Sequence, residues 1–247
     1  MAEFLALGPG ILLFCAAGVF GGTLLQRLAG QGFGMLSAPV VAMVAPEFLP
    51  ASLLLIGAVV GFSSSAVDLS AVNRQELPSG FAGRALGAVV AAFIAANLPD
   101  PAFFAALVAG VVYLGIALSL LGVRVRIRPV SLFSAGLTAG IMGTLTAVGA
   151  PPMALLYQHE ERQRSVAMQN VFFSFGMVVS ITALAVAGLI GVKHFVFAGA
   201  MLPIVGLALI LAVPLSRRVA RASIRPWALG LAGLAATVLI LRLFVQA

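Results

Sequence analysis

The chain has 247 residues, 62% of them hydrophobic and 9% charged, and a mean hydropathy of +1.17. Such a composition leaves too little polar surface to enclose a water-soluble core, so an integral membrane protein is expected. The net charge of +7 does not point to nucleic acid, because the fourteen Lys and Arg read as short loops between apolar runs and form no extended patch.

Helical segments are predicted near 8–29, 33–45, 48–68, 79–98 and 102–121, then 130–148, 150–158, 164–188, 195–214 and 226–246. Most are long enough to cross roughly 30 Å of hydrocarbon, and the weak alternation of a transmembrane barrel is absent. Segments 33–45 and 150–158 are too short to span at about 1.5 Å per residue, so they read as half-helices or re-entrant pieces. The start, Met1-Ala2-Glu3, has neither a basic patch nor a cleavage site, so the first span is expected to be retained. Cys15, the sole cysteine, is read as a packing residue with no redox role.

The ten segments fall into two sets of five, with a short one second in each. A shift of 118 pairs Ala17-Gly18 with Ala135-Gly136, Gly22 with Gly140, Ala29 with Ala147 and Met35 with Met153, and Phe81-Ala82-Gly83 recurs as Phe197-Ala198-Gly199. Five crossings per half would invert the second half relative to the first. Placing the N-terminus outside puts Arg27, Arg74, Arg84, Arg124, Arg126, Arg128, Arg162, Arg164, Arg217, Arg218, Arg221 and Arg225 on the cytoplasmic side, leaving Lys193 and Arg242 outside. This follows the positive-inside rule. The expected fold is therefore an all-α membrane protein, a helical bundle of two inverted five-segment repeats, 1–122 and 123–247, each with one short broken or re-entrant helix.

The breaks are the candidate site. Gly30, Gly32 and Gly34 permit unwound backbone, and Pro151 and Pro152 stand where a new helix would begin. Unwound backbone at membrane depth is tolerated only against protein or a water-filled cavity, and paired broken helices in two repeats point to a transporter site. The predicted substrate-binding residues are Gln31, Gly32, Phe33, Gly34, Gly149, Ala150, Pro151, Gln169, Asn170 and Ser174, with donors converging on one small anion. Gln31, Gln169 and Asn170 either touch ligand or bond between helices. Gly18/Gly22 and Gly136/Gly140 are read as helix-packing positions. Arg27 either snorkels to the cytoplasmic surface or draws anions to an inner vestibule.

All seven acidic residues, Glu3, Glu47, Asp68, Glu76, Asp100, Glu160 and Glu161, fall at or near span ends, and no cation is expected at a span centre. That disfavours a cation pump and suits an anionic substrate. For proton coupling, Asp68, His159 and Glu160 are the nearest titratable candidates, against a plain loop role. "GFSSS", Gly61 to Ser65, suggests a serine nucleophile only superficially, since His194 is predicted on the opposite face from the end of that helix. No enzyme activity, metal or cofactor is expected.

The stretches "AGQGFGMLSAP", "VGAPPMALLYQ" and "FAGRALGAVVAAF", together with the duplicated layout, resemble the TauE/SafE permeases, also called the sulfite exporter or TSUP family. The resemblance covers nearly the whole chain. It implies a secondary transporter, working by alternating access around a midplane site, that moves sulfite, a sulfonate or a sulfoacetate-like anion across the cell inner membrane, with proton coupling. The implied partners are that small anion and membrane lipid. A passive anion channel, a small-carboxylate permease and a homo-oligomer stay open. "PASLLLIGAVVGF" departs from the pattern, offering only Ser52 where relatives usually show several polar residues, whereas "SVAMQNVFFSFG" keeps Gln169, Asn170 and Ser174. The second half is thus expected to supply more of the site.

Overall fold

The computed structural model describes residues 7–66, 69–97, 101–120, 124–218 and 221–246, which form ten α-helices and no strand. In chain order they are α1 (Pro9–Ala29), α2 (Phe33–Val44), α3 (Ala51–Ser65), α4 (Leu77–Ala96), α5 (Pro101–Leu120), α6 (Pro129–Thr146), α7 (Pro151–Tyr157), α8 (Arg162–Val186), α9 (Val192–Arg218) and α10 (Arg221–Gln246). Five stretches among the described residues are long and apolar enough to cross a membrane: Pro9–Ala29, Arg74–Ala96, Pro129–Thr146, Arg162–Val186 and Val192–Ser216. The chain is a multi-pass, all-helical membrane protein.

Both expected short segments are helices, with 12 residues in α2 and 7 in α7. The first break begins where Gly30 takes φ 73 and turns its N–H back onto the carbonyl of Gln26; Gly32, at φ 119, then starts α2. These angles are costly for any side chain but cheap for glycine. The second break turns the same way at Ala147, φ 62, a methyl-bearing residue in left-handed conformation, and restarts at Pro151, whose missing N–H costs a first helical turn nothing. After each break the chain folds back on the helix it left. Val40 lies against Gly18, and Ser37 and the Phe33 carbonyl lie against Gly22.

The helices pair by a rule of five. Helix α4 packs on α6 as α9 does on α1; α4 packs on α8 as α9 does on α3; α2 packs on α10 as α7 does on α5; α3 crosses α8, and α5 crosses α10. The α4–α6 contact is backbone on backbone, because Gly80, Gly83 and Gly87 face Gly136 and Gly140. Small residues allow this approach where no hydrophobic effect drives helices together. The order of those glycines shows α4 and α6 running in the same direction. Gly30, after the end of α1, lies against Val166 near the start of α8, and Glu76, just before α4, bonds Arg164, also near that start. Hence α1 ends at the level where α4 and α8 begin, and α1 and α6 run in opposite senses.

Helix α3 supplies much of the core through Leu53, Leu54, Ile56 and Val60, and Phe48 stacks on Phe197 with centroids 4.7 Å apart. Large apolar side chains also cover the outside, among them Phe93, Val186 and Ile210. Such a surface is stable against lipid and not against water.

Candidate functional site

The two breaks touch. Gly34, one residue into α2, rests on the carbonyl of Ala147, and a Cβ at Gly34 would overlap it. Gly30 in turn packs on Val166 and on the Cβ of Gln169, so α8 runs past both breaks.

Beside the second break lies a cavity lined by Arg84, Gly136, Ala139, Gly149, Ala150, Met153, Gln169, Phe172 and Phe173. It therefore draws on α4, α6, the break itself, α7 and α8. Of the expected substrate-binding residues, Gly149, Ala150 and Gln169 line it. Its free volume is 10 Å³, about the space that one water requires.

Arg84 is the finding that departs from the sequence reading. It was expected among the cytoplasmic basic residues, with no cation inside a span, yet it is 4% exposed and lies seven residues into α4. That is about 10 Å from the start of the helix. Its Nη1 donates to the carbonyl of Ala139, and its Nε has no partner. The ion pairs that Arg164 makes with Glu76 and Glu160 do not include it. The guanidinium is held in a slot without side chains: a Cβ at Gly143, Gly149 or Gly176 would press into it. Three glycines from α6, the break and α8 thus shape the space for one cation.

The other expected residues divide around this cavity. Gln169 is 3% exposed, its Nε2 donates to Ser165 Oγ at 2.9 Å, and its Oε1 is unpartnered. Asn170 is fully buried but joined to the first half: Gln26 Nε2 donates to its Oδ1 at 3.0 Å and to the Gly30 carbonyl at 2.9 Å, leaving Asn170 Nδ2 and Gln26 Oε1 without partners. This places a bridging amide pair at the first break. Gln31 is half-buried with Oε1 unpartnered, and Phe33 meets Phe173 edge to face with centroids 6.1 Å apart. Pro151 packs against Gly115 of α5. Ser174 donates to the Asn170 carbonyl and shares a 2.8 Å hydrogen bond with Ser65, beside a separate apolar groove that includes Phe62, Phe81 and Val178.

Of the titratable candidates, Asp68 lies outside the described residues. His159 is exposed in the turn between α7 and α8, and Glu160 pairs with Arg164; neither lines the cavity. Arg164 also meets Glu76 at 2.5 Å, and the other oxygen of Glu76 accepts from the Tyr157 hydroxyl at 2.7 Å. This cluster clamps together the starts of α4 and α8 and the end of α7, three of the elements that wall the cavity. Arg27 lines a wider recess of 300 Å³ with Glu161, Arg162 and Ser216.

The missed residue, Arg84, left a local signal. Gly80 and Gly87 lie four residues before and three after it, so all three share one helix face. A face marked by glycine is a packed face, and an arginine on it points inward.

A comparison with curated proteins and another with solved structures returned no match. The family model for the sulfite exporter TauE/SafE matches residues 14–239, nearly the whole chain. With its broken helices, its apolar outer surface and this match, the chain belongs to the sulfite exporter TauE/SafE family of membrane transporters.

Proposed function

We propose that this chain is a secondary transporter that carries a small sulfur-containing anion, such as sulfite or an organic sulfonate, across a cell inner membrane by alternating access, coupled to protons. The observation that carries this reading is the cavity beside the second break, where a buried guanidinium has no acidic partner. A lone charge away from water needs a counter-ion, and an anion drawn from outside the chain supplies it. The family match supports the substrate class. The cavity has about one water's volume, so it must widen before an anion can enter, and this supports a carrier that opens around its cargo.

The proposed architecture is a pair of inverted repeats, 1–122 and 123–247. The rule-of-five pairing and the opposite senses of α1 and α6 support it. Inverted halves can exchange conformations, which gives an inward-open and an outward-open state around a fixed site. The clamp of Glu76, Tyr157 and Arg164 is the natural closure at one end, since it ties the cavity walls together. Gln169 and the backbone of Gly149 and Ala150 would help position the anion, with the Gln26–Asn170 pair holding the opposite break in register.

The test is flux in proteoliposomes. Sulfite should accumulate against its own concentration gradient when a proton gradient is imposed, methanesulfonate should be taken up, and small carboxylates should be carried less well. Dissipation only down the anion gradient would make the protein a channel, and preference for a carboxylate would change the substrate class.

A further inference from the structure

We infer that the Arg84 cavity selects the monoanionic form of its substrate, so that with sulfite the ion taken is hydrogensulfite and the transported proton travels on the substrate itself. This rests on the transporter reading above but adds a charge state and a proton carrier to it. Three observations lead there.

The first is a charge count. Arg84 is the one buried Lys or Arg among the described side chains, and a guanidinium stays protonated at any physiological pH. The remaining lining residues, Gly136, Ala139, Gly149, Ala150, Met153, Gln169, Phe172 and Phe173, carry no charge. One bound monoanion makes the enclosed site neutral. A dianion such as sulfite or sulfate would leave a full negative charge buried with nothing to offset it, which a low-dielectric interior strongly disfavours.

The second is rigidity. The slot formed by Gly143, Gly149 and Gly176 fits so closely around the guanidinium that a Cβ at any of the three would press into it, and Nη1 is tied to the Ala139 carbonyl. The cation cannot swing away to meet a second partner, and its Nε remains unsatisfied. A planar fork with unused donors suits a sulfonate or hydrogensulfite head, which offers two oxygens to two parallel N–H groups.

The third concerns the proton. No titratable group from α4, α6, α7 or α8 lines the cavity apart from Arg84 itself. Of the described acids next to those elements, Glu76 and Glu160 are engaged with Arg164, Glu76 also with Tyr157, and Glu161 is exposed on the separate Arg27 recess; His159 is exposed too. Hydrogensulfite needs no side-chain relay: it enters with its proton, and where the pH is higher it dissociates to sulfite and a proton in water. The net event is movement of one sulfite and one proton together.

The experiment combines flux and binding on the full chain. In proteoliposomes with the same pH inside and out, the total sulfite giving half-maximal uptake should rise with pH above the second ionisation of sulfurous acid, by roughly tenfold per unit, as the hydrogensulfite fraction falls. The corresponding value for methanesulfonate, a monoanion throughout, should not change, and excess sulfate should not compete. Arg84→Gln should lose saturable binding of methanesulfonate to detergent-solubilised protein, while Arg84→Lys, which keeps the charge, should bind it more weakly and still reject sulfate. A pH-independent sulfite value, competition by sulfate, or unchanged methanesulfonate binding by a monodisperse Arg84→Gln protein would overturn the inference. The binding arm separates the two readings: Arg84-dependent binding without any flux would remove the transporter and leave the monoanion site, whereas flux without dependence on Arg84 would remove the site and leave the transporter.

Discussion

Gly34 bears directly on Ala147: a Cβ at residue 34 would stand 2.7 Å from the Ala147 carbonyl carbon and closer still to its oxygen. The neighbour is backbone, which cannot rotate aside. Gly34→Ala is therefore expected to cost about 1–3 kcal/mol, in the range of overpacked cores. Gly199→Ala is the control, since nothing lies within 4 Å of that position. Thermal unfolding in detergent should show a lowered midpoint for the first and none for the second. Equal midpoints would mean that the breaks do not depend on touching.

The clamp predicts a graded effect. Tyr157→Phe keeps the ring beside Phe172, at 6.3 Å between centroids, and removes the 2.7 Å hydrogen bond to Glu76. The expected loss is about 1 kcal/mol. Glu76→Gln also removes the ion pair, but Arg164 is 33% exposed and keeps Glu160, so solvent screening holds the additional loss to about 1 kcal/mol or less. If the clamp closes one end of the pathway, both variants should raise labelling of a cysteine placed at Met153 by a membrane-impermeant thiol reagent added on the cytoplasmic side. Unchanged labelling would make the clamp a fixed strut.

Much of this arrangement is legible in the sequence. The short helices begin within a residue of where glycine and proline placed them, because both residues act through local backbone geometry. The joining of distant residues was not readable. Asn170 finds Gln26 across 144 positions, and the slot for Arg84 is assembled from Gly143, Gly149 and Gly176 on three separate pieces of chain. The sequence counted Arg84 with the loop arginines because charge alone sets topology; only the glycines on its own helix face mark it as inward. The left-handed Ala147 was also hidden, since alanine carries no preference for that conformation.

The orientation has its own check. Arg126 precedes α6 and is exposed, while Val192 opens α9 and is 72% exposed. In a membrane that contains the chain with its N-terminus outside, Arg126→Cys should react with an impermeant thiol reagent only from the cytoplasmic face, and Val192→Cys only from the outer face. The native thiol does not interfere, because Cys15 is fully buried. Reaction of both from one face would contradict the inverted halves.

The last prediction concerns the amide bridge between the halves. Gln26 of α1 donates through one nitrogen both to Asn170 of α8 and to the Gly30 carbonyl that opens the first break. At the position equivalent to Asn170 by the shift of 118, the first half has Ser52, whose hydroxyl is buried without a partner. The two sites therefore differ in what a substitution removes. Asn170→Leu takes away an acceptor and leaves a buried donor relying on the break alone, a cost of about 1–3 kcal/mol borne where the break must hold its shape. Transport should fall to background for Asn170→Leu, and most of it should survive Ser52→Ala. Gln26→Leu should resemble Asn170→Leu, and because both remove the same bridge, the double variant should be no worse than either single one. Stability and flux measured on all four proteins check this. Losses that add in the double variant would show that Gln26 and Asn170 act independently, and full transport by Asn170→Leu at normal expression would free the bridge of any part in moving the anion.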